Sequence, residues 1–166
     1  MGRYRPPAPP SSLYITQDGY LSLQNELNGL WKRRTAVTKA LAAAAAEGDR
    51  SENAEYIYRK KELREIDRRI RYLQKRLPAL TVVRDAPAGD AIYFGATVDL
   101  LDDQDRSHSY RIVGADEADA KTFAISMDSP LARALLGKHV DDDLEISVDG
   151  KTTAMRVTSI RYEVDE

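Results

Sequence analysis

The sequence predicts an α+β protein: an N-terminal antiparallel α-helical coiled-coil hairpin followed by a small antiparallel-sheet domain with one short helix. Three observations predict it. Two apolar seams at heptad spacing run through the first half of the chain. A polar break containing Gly48 separates them, so the two helices must fold back on each other to bury both seams. After Pro78 the helical period gives way to short β-rich runs bounded by turn residues.

The elements follow in order. Residues 1–12 contain four prolines and no apolar periodicity, and read as a disordered or polyproline-like arm. The hairpin is expected over residues 13–79. Its first helix, Tyr20–Ala46, carries the seam Leu23, Leu27, Leu30, Arg34, Val37, Leu41, Ala44, with one polar break at Arg34. At 27 residues it would be about 40 Å long, which makes the hairpin a rod. Gly48 stops it. The second helix carries Tyr56, Arg59, Leu63, Ile66, Ile70, Leu73 and Leu77, and Pro78 closes it.

The second domain is expected over residues 80–166. Leu80–Arg84, Ile92–Leu101, Ser109–Val113, Thr122–Met127, Leu144–Val148 and Ala154–Tyr162 read as strands. Asp102-Asp103-Gln104-Asp105 and Asp149-Gly150 read as hairpin turns. Ser129-Pro130 ahead of Leu131–Leu136, with Gly137 behind, reads as a capped short helix.

Composition removes whole classes of function. At 166 residues the chain holds one ordinary domain or two small ones. It has no apolar run of 18 residues, so no membrane-spanning helix is expected, and no secretory signal is read at its start. Without cysteine there is no disulfide framework and no thiolate metal site, which suits a reducing cytoplasm. Its two histidines, His108 and His139, are too far apart in sequence for a clustered zinc motif. Phosphate-loop, dinucleotide and nucleophile-elbow motifs are absent as well.

Charge divides the chain. Residues 1–76 carry 16 Lys/Arg against 9 Asp/Glu, whereas residues 77–166 carry 9 against 18, which conceals two opposite modules behind a net charge of −2. The basic module is the candidate for nucleic acid.

Two places on that module hold candidate chemistry. The turn reads Glu47-Gly48-Asp49-Arg50-Ser51-Glu52-Asn53-Ala54-Glu55. Asp49-x-x-Glu52 has the spacing of a capping box for the second helix. The same two carboxylates also suit Mg²⁺, which takes one or two protein carboxylates when phosphates and water complete its shell. Both readings stand at this point. On the stem, Lys61, Arg64, Arg68, Arg71 and Lys75 fall three and four apart on the face opposite the seam. A single-sign stripe suits a phosphate backbone. Pairs such as Glu65–Arg69 and Asp67–Arg71 would instead make an ordinary solvated face. Tyr56 and Tyr58 near the turn could both stack on an unpaired base, although Tyr56 also sits on the seam, where core packing is the stronger reading.

Gly48-Asp49-Arg50-Ser51-Glu52-Asn53-Ala54-Glu55-Tyr56, continuing through Lys60–Leu73, closely resembles the bacterial Gre transcript-cleavage factors, the GreB branch above all. Phe94-Gly95-Ala96, Tyr110–Gly114 and Ile125–Lys138 extend the resemblance through the second domain, so that it covers about residues 13–162. The resemblance implies an FKBP-like C-terminal domain docked at the rim of the RNA polymerase secondary channel and a coiled coil reaching the active site. There Asp49 and Glu52 would help hold a shared Mg²⁺ that the free factor does not bind stably. Asp128, Ser129 and Pro130 match the docking segment, and the basic stem would hold the nascent RNA near its 3′ end. The implied protein is a cytoplasmic monomer, no enzyme itself, that stimulates the polymerase to cleave its own backtracked transcript. One rival is a Gre-fold factor that enters the channel and inhibits without stimulating cleavage; another is a nucleic-acid-binding coiled coil with no catalytic part.

Overall fold

The computed structural model describes residues 10–47, 53–148 and 150–163. These divide into two compact units, one of residues 20–80, the other of the described residues up to Gly19 together with those from Thr81 onward.

The first unit is the hairpin. Helix α1 spans Gln17–Ala46 and helix α2 spans Ala54–Arg76, followed by a single 3₁₀ turn at Leu77–Ala79. The helices run antiparallel, since Glu26 meets Arg69, Arg34 meets Asp67 and Ala44 meets Asn53. Both seams face inward as the heptads require. Leu23, Val37 and Ala44 of α1 are buried, as are Ile66, Ile70 and Leu73 of α2 and Leu77 just beyond it. Val37, Ile66 and Ile70 form the centre of the interface, flanked by Leu27, Leu30 and Leu63. The polar interruption at Arg34 is answered across the hairpin by Asp67, Nε to Oδ1 at 2.7 Å. Among the described residues, no helix is long and apolar enough to cross a membrane.

The second unit is built on a five-stranded sheet in the order β5-β4-β3-β7-β6. Its strands are β3 (Ala96–Asp102), β4 (Ser107–Val113), β5 (Ala124–Ser126), β6 (Asp143–Val148) and β7 (Lys151–Tyr162). Helix α3, Pro130–Leu135, covers one face. Strand β3 alternates buried and half-buried along its length, as a strand in mid-sheet with one face on the core must. Val98, Leu100, Ile112, Val157, Ala132 and Leu135 fill that core.

Three details differ from the sequence reading. The sheet is mixed, because β5 returns parallel to β4 after a 3₁₀ turn at Ala120–Thr122. The run from Ile92 enters the sheet only at Ala96: Ile92 pairs with the segment leaving α3, donating to Lys138 O and accepting from Gly137 N. A strand absent from the sequence reading, β1 at Tyr14–Thr16, lies parallel to β2 at Thr81–Val83. Three residues are too short to show alternation, and a parallel partner 67 positions away leaves no local turn signal.

A carboxylate secures β1. Glu117 accepts from the N–H groups of Gly114 (2.8 Å) and Thr16 (3.0 Å), and from the Thr16 hydroxyl. Thr16 Oγ1 in turn accepts from Gly19 N at 3.1 Å, capping α1 and starting it three residues before the expected Tyr20. A Cβ at Gly114 would collide with the Tyr14 carbonyl, and one at Gly19 with the Glu117 carboxylate. Glu117→Ala should therefore strand two or three donors and lower the stability of this unit by on the order of 3 kcal/mol, read by denaturant unfolding. A loss within a few tenths would show that water replaces the carboxylate.

Candidate functional site

At the turn, Asn53 is the N-cap of α2. Its Oδ1 accepts from Tyr56 N at 3.1 Å, and its backbone carbonyl accepts from Ile57 N at 3.1 Å. Its Nδ2 donates to Ala44 O in the last turn of α1, at 2.8 Å. The capping box expected from Asp49-x-x-Glu52 thus gives way to a cap four residues further along the chain. Asp49 and Glu52 themselves lie outside the described residues. An asparagine ahead of Ala54-Glu55 was a legible cap signal; the Asp-x-x-Glu spacing competed with it. Of the two other acids at this end, Glu47 and Glu55, the latter is bound to Arg59, Nε to Oε1 at 2.8 Å.

Along the stem, Lys61, Arg64, Arg68, Arg71 and Lys75 are all exposed, and none forms an ion pair among the described residues. The pairs that would have neutralised the stripe are directed elsewhere. Asp67 binds Arg34 and Arg69 binds Glu26 (2.9 Å). Glu62 bridges Arg33 (3.2 Å) and Arg59 (3.0 Å). Partial burial works against the Glu62 charge, but the two guanidinium groups outweigh it and hold the carboxyl below its usual range. Three of the four acids of α2 are therefore tied to α1 or to a neighbouring turn, and only Glu65 is left on the outside with the five cations. Near the turn Tyr58 is 60% exposed, with the Arg59 guanidinium 5.5 Å from its ring centre, whereas Tyr56 is half-buried on the seam.

In the second unit Ser129 caps α3, its Oγ accepting from Ala132 N at 3.2 Å, and Pro130 takes the first helical position. Asp128 Oδ2 accepts from Ser12 N at 2.8 Å, which ties the base of the N-terminal arm to the start of α3. That partner, 116 residues upstream, had no sequence signal.

Among the described residues, Asp102 gathers a cluster of ionisable and polar groups, and its geometry is that of a turn. Its carboxylate meets His108 Nε2 (3.0 Å) and accepts from the N–H groups of Gln104 and Arg106 (2.9 Å each). His108, followed by the Arg106 amide, holds the carboxyl well below the usual carboxylate range against the opposing effect of burial. These bonds close the β3–β4 turn at the acidic stretch expected for it. Among the described residues, no three His, Asp or Glu side chains converge as metal ligands.

Residues 13–82 match the family described as "Transcription elongation factor, N-terminal", and residues 86–162 match "Transcription elongation factor, GreA/GreB, C-term". The chain belongs to the GreA/GreB family of transcription elongation factors. It is 55% identical to transcription elongation factor GreB of Xanthomonas axonopodis pv. citri, over 98% of each chain, and 50% identical to GreB of Pseudomonas aeruginosa, again over 98% of each. Among solved structures, GreA factor homolog 1 (Gfh1) of Thermus thermophilus matches at 27% identity and a TM-score of 0.42, over 90% of this chain and 99% of that one.

Proposed function

We propose that this chain enters the secondary channel of bacterial RNA polymerase and stimulates the polymerase's own cleavage of backtracked nascent RNA. One observation carries the reading: five exposed cations on one face of α2, unpaired among the described residues, lead along the helix toward the turn that bears Asp49 and Glu52. The stripe would bind the phosphates of the extruded RNA, with the Tyr58 ring beside it for an unpaired base. Because Asn53 caps α2, that duty does not fall to Asp49, and two hard carboxylate donors three residues apart suit Mg²⁺. Bound by Asp49 and Glu52 together with the polymerase's own groups, Mg²⁺ would supply charge neutralisation at the phosphate and a water of lowered pKa. Asp128, Ser129 and Pro130 would dock at the channel rim.

The test adds the purified chain to a stalled, backtracked elongation complex carrying a 5′-labelled transcript. A shortened transcript that can be re-extended is expected, and none from the chain with free RNA alone. An unshortened transcript, with the chain bound, would favour the inhibitory rival.

A further inference from the structure

We infer that Trp31 is a stacking platform for an unpaired RNA base, an assignment that rests on the reading of the stem as an RNA-binding face. Trp31 is the chain's only tryptophan, and it lies 45% exposed in the middle of α1. A lone exposed apolar residue is ordinary; the flank on which this one sits gives it a ligand. Within residues 20–80, the ion pairs Glu26–Arg69 and Arg33–Glu62 close one side of the α1–α2 interface. Arg34 and Asp67 meet on the other side of the seam. Trp31, three residues before Arg34, falls about 60° further round α1 on that second side. Because the helices are antiparallel, one turn back from Arg34 to Trp31 matches one turn forward from Asp67 to Ile70 and Arg71. Arg64 and Arg71, three residues before Asp67 and four after it, share its flank. The indole thus stands level with Arg71, at the near edge of the basic stripe. Among the described residues, the one carboxylate on this flank is Asp67, already neutralised by Arg34 at 2.7 Å. Among them, too, no aromatic ring stacks on Trp31 and no cation sits over it. Cations beside an open aromatic ring suit single-stranded nucleic acid, since the cations hold the backbone and any base can stack on the ring. An apolar protein partner would have to bury the same cations without counter-charges, so RNA is the occupant that this flank favours.

The experiment titrates the full-length chain with a short oligoadenylate at low salt and follows the Trp31 fluorescence, which no other tryptophan obscures. Stacking should quench it. Inorganic polyphosphate, which offers phosphates without bases, should bind the stripe and leave the fluorescence nearly unchanged. Trp31→Leu removes the ring plane and keeps an apolar side chain of good helix propensity. It should retain parental helicity by circular dichroism and bind the oligoadenylate about 5- to 150-fold more weakly, the scale of one base–aromatic stack. Its slope of log affinity against log salt should stay parental, because no phosphate contact is lost. Trp31→Phe should restore most of the affinity. Bound RNA without quenching overturns the inference and leaves the reading of the stripe standing. So does equal quenching by polyphosphate, or a Trp31→Leu variant that binds as tightly as the parent. Should Trp31→Leu lose helicity, the quench in the parent and the affinity of Trp31→Phe decide. If the parent binds no oligoadenylate even at low salt, the RNA reading of the stem fails, and the platform falls with it.

Discussion

Asp49→Asn and Glu52→Gln should each fold and bind polymerase as the parent does, and each should lose most of its stimulation of transcript cleavage. Asparagine and glutamine keep the shape of the carboxylates and remove only their charge, so a variant that fails to bind would be uninformative about metal and is not expected. The cap of α2 belongs to Asn53, which neither substitution touches, so thermal unfolding should be unchanged within about 1 kcal/mol. A carboxamide oxygen is a far weaker ligand for Mg²⁺ than a carboxylate, because a hard divalent ion is held chiefly by anionic oxygen. Removing one preorganised electrostatic group from a reacting centre costs about 10²-fold, and that is the size expected for each single variant. The two should not add fully, since they act on one ion. Raising Mg²⁺ should recover part of the rate, because occupancy lost through weaker binding returns by mass action. The measurement is the single-turnover cleavage rate at saturating factor against Mg²⁺ concentration. A double variant that cleaves at the parental rate under limiting Mg²⁺ would remove the metal-holding role.

Much of this architecture was legible because it depends on periodic burial. Every residue of both heptad seams is buried or half-buried, including the polar members Arg34 and Arg59, whose carboxylate partners lie at Asp67, and at Glu55 and Glu62. The outward stripe was legible for the converse reason: positions opposite a seam have nowhere to point but solvent. What escaped depends on contacts distant in sequence. Strand β1 is specified by β2 and by Glu117, about a hundred residues away, and the parallel return of β5 by hydrogen bonds to β4. At the turn, two local signals competed. The Asp49-x-x-Glu52 spacing and Asn53 both satisfy helix-start chemistry, and the link from Asn53 to Ala44 becomes visible only when α1 and α2 lie side by side.

Reversing Lys61, Arg64, Arg68 and Arg71 to glutamate should weaken action on deeply backtracked complexes far more than on shallow ones. None of the four cations makes an ion pair among the described residues, so their removal breaks no native pair there. Glutamate matches lysine and arginine in helix propensity, and the cost in hairpin stability should be limited to like-charge neighbours on α2, a few tenths of a kcal/mol per pair. Substitution by glutamine at the same four positions separates lost attraction from added repulsion. RNA extruded further runs along more of the stem, so the loss should grow with the length of the backtracked segment. Each phosphate contact to single-stranded RNA contributes about 0.7 to the slope of log affinity against log salt, and losing four contacts should flatten that slope by roughly 3. The decisive measurement is the half-maximal factor concentration on short and long backtracked complexes across a salt series. Parent and variant should converge as salt rises, first on the short complexes. An equal loss on both substrates at every salt concentration, with reduced helicity, would mean a damaged hairpin. The same equal loss with helicity intact would move the stripe's partner from the RNA to the polymerase itself.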